Sequence, residues 1–265
     1  MKDIIYYSDD SYLGEGISLG IVRGILVKYK DKNIVQEGLG IGNLALKNGL
    51  MTYFASTCNT VQLSETQFRK TFLVDCMLLW RINGKLSIFI TRVIDMLAQF
   101  YMLLPGLQNK LLKTGTLFRN LFKLTPQIIK IAPMAEACFN YSVEEDELYV
   151  ECNIKSLAGY LSKVFILNEL GADFFLNGIK NGKTVSAPTG WNYITSSPDF
   201  TAFYNHIYNL SFLVKKINVT DSIPYKVLWG REKTKDLSWA GFELEFACRN
   251  KKIKSFCCGY IAKIK

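Results

Sequence analysis

The chain has 265 residues, of which 49% are hydrophobic and 21% charged, a composition that excludes general disorder and supplies a large core. Its 32 Lys and Arg outnumber its 23 Asp and Glu, and the formal charge of +9 favours anionic partners over cationic ones. Seven cysteines without a C-x-x-C spacing, together with a single histidine, exclude zinc-ribbon, thioredoxin-like and multi-histidine metal chemistry.

The first residues, Met1-Lys2-Asp3-Ile4-Ile5, lack the apolar stretch of a signal peptide, so a cytoplasmic protein with reduced thiols is expected. Ile17–Tyr29 reads as strand, Asp31-Lys32-Asn33 as a turn, and Ile34 resumes the strand pattern. The run Gly38-Leu39-Gly40-Ile41-Gly42 invites a dinucleotide reading, but Asn43 stands where the fingerprint needs its next glycine. Asn48-Gly49 follows too soon for the helix that fingerprint opens, so these glycines read as a bulge or a tight strand bend, with no nucleotide cofactor. Leu50–Thr57 and Phe68–Trp80 are the next strands, and Asp75 lies inside the second. Asn48-Gly49, Asn83-Gly84, Asn177-Gly178 and Asn181-Gly182 offer hairpin turns, although the last two are too close together for both to serve.

At Leu86 the pattern changes to a nearly continuous apolar stretch ending at Leu104, ahead of Pro105-Gly106. Arg92 and Asp95 are three apart, a spacing that pairs them on a helix and makes a buried or interfacial helix the better reading than a membrane span. A second helix over 107–122 would gather Leu107, Leu111, Leu117, Phe118, Leu121 and Phe122 on one face. Lys110, Lys113, Arg119 and Lys123 flank that face or lie opposite it, and they are candidates for contact with an anionic or membrane surface.

Downstream, Leu148, Val150, Cys152 and Ile154 alternate with polar residues, and Val164–Leu167 leads into Asn168-Glu169-Leu170-Gly171-Ala172-Asp173. Carboxyls inside apolar runs are candidate general acids, because a dry environment raises their pKa; Glu169, Asp173 and Asp75 are the catalytic candidates. His206, between Tyr204 and Tyr208, is a candidate base. Trp80, Trp191, Tyr193 and Trp229 are candidates for the walls of a ligand pocket. Phe242, Leu244 and Phe246 alternate with Glu243 and Glu245, which predicts a final hairpin with Ile253–Ile261 that has one wet and one dry face.

These readings add up to a mainly β (or α+β) fold, a single domain over 1–265. It would be an antiparallel lipocalin-like barrel or a curved β-sandwich, with a helical insertion at about 86–124. The expected function is binding or carriage of a hydrophobic small molecule, with or without an anionic head, such as a lipid or isoprenoid at a membrane periphery. A metal- and nucleotide-independent isomerase, hydratase or cyclase using buried carboxylates is the enzymatic alternative, and a protein-interaction module is the third. Basic residues interleaved with Leu, Ile and Met rather than with aromatic platforms disfavour nucleic acid.

Overall fold

β-Branched and aromatic residues in alternation, punctuated by Asn-Gly and acidic turns, fold as eighteen strands and one helix among the described residues. The computed structural model describes residues 3–8, 21–36, 38–103, 121–194, 198, 201–220, 223–233, 238–248 and 253–265, without the side chains of 98–103. Strands β1 (Ile4–Tyr7), β2 (Leu26–Tyr29) and β3 (Lys32–Asn33) form a small antiparallel sheet. A meander follows of β4 (Gly40–Asn48), β5 (Met51–Ser64), β6 (Gln67–Ile82) and β7 (Lys85–Ser87), leading into helix α1 (Ile88–Leu103). Next come β8 (Thr125–Glu144), β9 (Glu147–Ser156), β10 (Lys163–Leu170), β11 (Asn177–Lys180) and β12 (Lys183–Ser186). Strands β13 (Asn192–Tyr193), β14 (Thr201–Asn205), β15 (Leu210–Val219), β16 (Tyr225–Lys233), β17 (Ser238–Ala247) and β18 (Ser255–Ile264) complete the chain.

All ladders between strands are antiparallel, and most strands belong to one sheet ordered β12-β11-β14-β15-β18-β9-β8-β6-β5-β4-β10-β17-β16-β13, with β7 beside β6. That path doubles back on itself. Phe242 of β17 lies edge-on to Phe203 of β14 and to Phe212 of β15, each at 5.3 Å between ring centroids, although β17 is hydrogen-bonded to neither strand. Phe246 of β17 meets Phe256 of β18 at 5.3 Å with the rings tilted, again between strands that do not pair. The two halves therefore pack face to face over one aromatic core, the sandwich arrangement.

The sandwich corrects the lipocalin-like barrel. The path ends at β12 on one side and β13 on the other, and these strands do not pair, so no closed barrel exists among the described residues. Aromatic side chains fill the interior that a lipid carrier of that kind keeps open, and the lipid reading falls with the barrel. The final hairpin is also overturned: β17 pairs with β10 and β16, whereas β18 pairs with β9 and β15. Local alternation reports which faces a strand presents, not which partner it finds.

The turns followed their chemistry more closely. Asn83-Gly84 (φ 49° and 81°) and Asn181-Gly182 (φ 51° and 73°) supply the two positive φ angles of type I′ hairpins. Asn48 is instead the last residue of β4, opposite Met51, and Gly49 at φ 61° opens that turn. Asn177-Gly178 lies within β11, opposite Ser186 and Val185. Helix α1 starts at Ser87, whose Oγ accepts the Ile90 amide at 3.1 Å. Its Asp95 does not pair with Arg92 but reaches Lys47 of β4 at 2.7 Å. No helix of the described residues is long and apolar enough to cross a membrane. Lys110, Lys113 and Arg119 lie outside the described residues, as does most of the second expected helix; Lys123 is exposed, at φ 47°.

The glycine run makes the bend expected of it. Opposite Leu167 and Asn168 the register of β4 jumps from Asn43 to Ile41, leaving Gly42 bulged at φ 73°. A Cβ there would sit 2.8 Å from the Tyr141 hydroxyl, which donates to the Gly42 carbonyl at 2.9 Å.

Candidate carboxyl site on the second face of the sheet

Alternation along β10 and β17 sends Val164, Ile166, Ala240, Phe242, Leu244 and Phe246 into the main core. The opposite face then carries Phe165, Leu167 and Glu169 from β10, with Gly241, Glu243 and Glu245 from β17. Register places Glu169 opposite Gly241, Leu167 opposite Glu243 and Phe165 opposite Glu245, so Glu169 and Glu243 are diagonal neighbours. Gly241 permits close approach, since a Cβ there would fall 2.0 Å from the Asn168 carbonyl oxygen.

This second face is not the wet face that alternation predicted. Glu169, Glu243 and Glu245 are only 8%, 8% and 5% exposed. A small apolar cluster of Ile21, Leu39, Ala45 and Leu167, with Phe54, Phe165 and Trp191 packed on it, covers this side. Trp191 stacks on Trp239 with ring centroids 4.3 Å apart.

The three carboxyls differ in what they meet. Glu245 is satisfied: Lys163 Nζ donates to its Oε1 at 2.7 Å, and the Tyr193 hydroxyl donates to it as well. Glu169 Oε2 accepts the Leu39 amide at 3.1 Å. Burial pushes Glu169 up to about 7, opposed by that amide and aided by the charge of Glu232. Glu243 makes no hydrogen bond among the described residues. Burial pushes it up to about 8, the charges of Glu245 and Glu169 add to the rise, and Lys47 and Lys163 oppose it. At neutral pH the face therefore holds a protonated Glu243 beside Glu169.

An open groove of about 480 Å³ adjoins this face along the β16 edge, lined by Tyr193, Ile194, Pro198, Tyr225, Lys226 and Val227. Lys226 Nζ lies 4.7 Å from the centre of the Tyr193 ring. Tyr193 belongs to both places, with its ring in the groove and its hydroxyl on Glu245.

Of the residues singled out from sequence, Glu169, Trp191 and Tyr193 come together here. Asp75 is elsewhere, at a bulge of β6, where it accepts the Ser56 hydroxyl at 2.7 Å, the Ser56 amide at 3.0 Å and the Thr57 hydroxyl at 3.1 Å. Burial alone would raise its carboxyl, but these bonds and Lys130 outweigh burial and hold it below its ordinary range, the reverse of a raised general acid. Asp173 is exposed and paired with Lys233. His206 is exposed in the turn between β14 and β15, where Asn205 Oδ1 accepts the amides of Ile207 and Tyr208. Trp229 packs on Phe203 at 5.5 Å within the core, and Trp80 lies on β6 beside β7, its amide donating to Thr91 of α1. Glu243 and Glu245 are not among those candidates because their alternation suggests solvent; the signal is in their flanks, apolar on both sides in Ala240-Gly241-Phe242-Glu243-Leu244-Glu245-Phe246-Ala247.

No protein-family model matches the sequence, and no curated protein is similar to it. Among solved structures, the chain is similar to a GalM/aldose epimerase homologue from C. elegans, at TM-score 0.42 and 9% identity, covering 99% of this chain and 98% of that one. It is similar to a galactose mutarotase-like protein from Lactobacillus casei at TM-score 0.40 and 8% identity, over 99% of both chains. Against the protein HI1317 the TM-score is 0.33 at 9% identity, and the match spans 80% of this chain and 65% of that one.

Proposed function

We propose that the chain is a ligand-binding protein for a small polyhydroxylated molecule of the carbohydrate class, held on the carboxyl face of β10 and β17 and in the adjoining groove. The observation that carries this reading is Glu243, a residue more than nine-tenths buried whose carboxyl has no hydrogen-bond partner among the described residues. A buried polar group left unmatched costs about 1–3 kcal/mol, and a ligand that supplies the missing partner recovers that cost. A protonated carboxyl both donates and accepts, as a hydroxyl does, whereas an ionised one would select a cation. Tyr193 and Tyr225 line the groove with aromatic rings, the kind of side chain on which the C–H face of a sugar ring packs, and Lys226 adds a donor for ring or hydroxyl oxygens.

Titration calorimetry with a panel of monosaccharides, disaccharides and polyols tests it, on the wild type and on Glu243→Leu, which removes the donor and acceptor at similar volume, and Tyr193→Phe. At least one member of the panel should saturate the wild type, with roughly tenfold or greater weakening in Glu243→Leu, the scale of one lost hydrogen bond. If none of the panel binds, or both variants bind as the wild type does, the reading is wrong.

A second reading, proton transfer on the bound molecule by a metal-free isomerase, is favoured by one observation. Glu169 at about 7 and Glu243 at about 8 both titrate near neutral pH, where an acid–base pair works best. Incorporation of solvent deuterium into the bound molecule, lost in Glu243→Gln, separates turnover from simple binding.

A further inference from the structure

Strands β9 and β18 are central in the sheet, and their register is unbroken from Ser255 opposite Lys155 to Lys263 opposite Glu147. Within it Cys258 is directly opposite Cys152, and both side chains face the core. Directly opposed residues of an antiparallel pair hold their Cβ atoms about 4.5–5.5 Å apart, next to the range a disulfide spans. The two Sγ atoms are 3.1 Å apart, closer than sulfurs without a hydrogen bond or covalent link between them. The other thiols are placed differently. Cys257 is exposed on the opposite face of β18, and Cys138 is opposite Asn153 rather than another cysteine.

We infer that Cys152 and Cys258 are a modification site, a thiol pair that closes to a cross-strand disulfide when the protein meets a two-electron oxidant such as hydrogen peroxide. The inference is independent of the ligand reading. One thiolate attacks a peroxide oxygen, the O–O bond breaks, and a sulfenic acid forms with release of one water after protonation. The second sulfur then attacks the sulfenic sulfur, the S–O bond breaks, and a second water leaves. Two S–H bonds are lost and one S–S bond is gained, with both electrons and both protons transferred to the peroxide. Burial holds the Cys152 thiol well above its ordinary range, so the reaction is slow on the native protein and quickens as pH rises.

The closed loop is long, since the two cysteines are 106 positions apart, and it contains β10, β16 and β17. A crosslink across such a loop should raise the thermal midpoint by roughly 5–15 °C, reversibly with a dithiol reductant.

The test uses the whole chain treated with hydrogen peroxide, then alkylated and mapped by mass spectrometry. The expected product has lost two hydrogens, carries five alkylatable thiols and links Cys152 to Cys258. Because Cys138 and Cys257 can share peptides with the reacting pair, Cys138→Ser/Cys257→Ser should keep the link and Cys258→Ser should abolish it. Seven alkylatable thiols after oxidation, or a link that survives in Cys258→Ser, overturns the assignment. If Cys258→Ser fails to fold, the map of Cys138→Ser/Cys257→Ser decides the question, since there a link on these peptides can join only Cys152 and Cys258.

Discussion

Asp75 and Glu243 are both buried carboxyls, and their surroundings drive them in opposite directions. Asp75 accepts three hydrogen bonds and stays ionised; Glu243 accepts none and keeps its proton. Asp75→Asn should therefore destabilise the fold by about 1–3 kcal/mol, because an amide matches that donor set poorly, and a shift in the urea midpoint will measure it. For Glu243 the folded state binds the proton more tightly than the unfolded chain, whose carboxyl titrates near 4.5; Glu169 behaves alike. Stability should accordingly fall as pH rises from about 4.5 through about 7 and 8. Glu147 acts on the acid side. Hydrogen bonding from Lys215, aided by Lys263, lowers it to about 2, so its contribution is lost as pH drops below 4.5. Urea midpoints between pH 3 and 9 should peak near pH 5, and Glu243→Gln should flatten the alkaline limb. An unchanged alkaline limb in Glu243→Gln would show that the proton is not held there. Glu169 was legible in the sequence because Val164–Leu167 runs into it without a break, whereas Glu243 and Glu245 read as a solvated edge. What buries them is a second layer made by Leu39, Leu167 and Trp191, residues far apart in the chain.

Elements were legible where chemistry is local. Asn83-Gly84 and Asn181-Gly182 turn as their backbone freedom requires, and α1 begins at a serine cap within two residues of where the apolar stretch starts. Legibility failed for partners. The spacing of Arg92 and Asp95 suits a helix pair, yet Lys47 takes Asp95 from another strand, and β17 and β18 are consecutive without pairing. The glycine run is equally local, and its bulge penalises any side chain at Gly42. Gly42→Ala meets a left-handed φ of 73° and a Tyr141 ring 2.8 Å from the new Cβ, so it should cost about 1–3 kcal/mol. Gly49→Ala, also at positive φ but with nothing within 4 Å, should cost less, and the difference between their thermal midpoints isolates the packing term.

At the scale of the molecule, one sheet serves as both layers of the sandwich, and its long central strands make that possible. Strands β5, β6 and β8 run for 14, 16 and 20 residues, with register shifts at Phe54–Thr57 and Val74–Cys76, and such irregularities bend a strand. A sheet that folds over without closing keeps two free margins, and each exposes backbone donors and acceptors to any strand that arrives. Here the terminal strands β12 and β13 are only four and two residues long, and Lys183 stands at the start of β12. Such short, partly charged margins give an incoming chain little to template on. The fold thus disfavours fibril growth and strand exchange between copies by the brevity of its outermost strands, the protection a barrel obtains by having no margins at all.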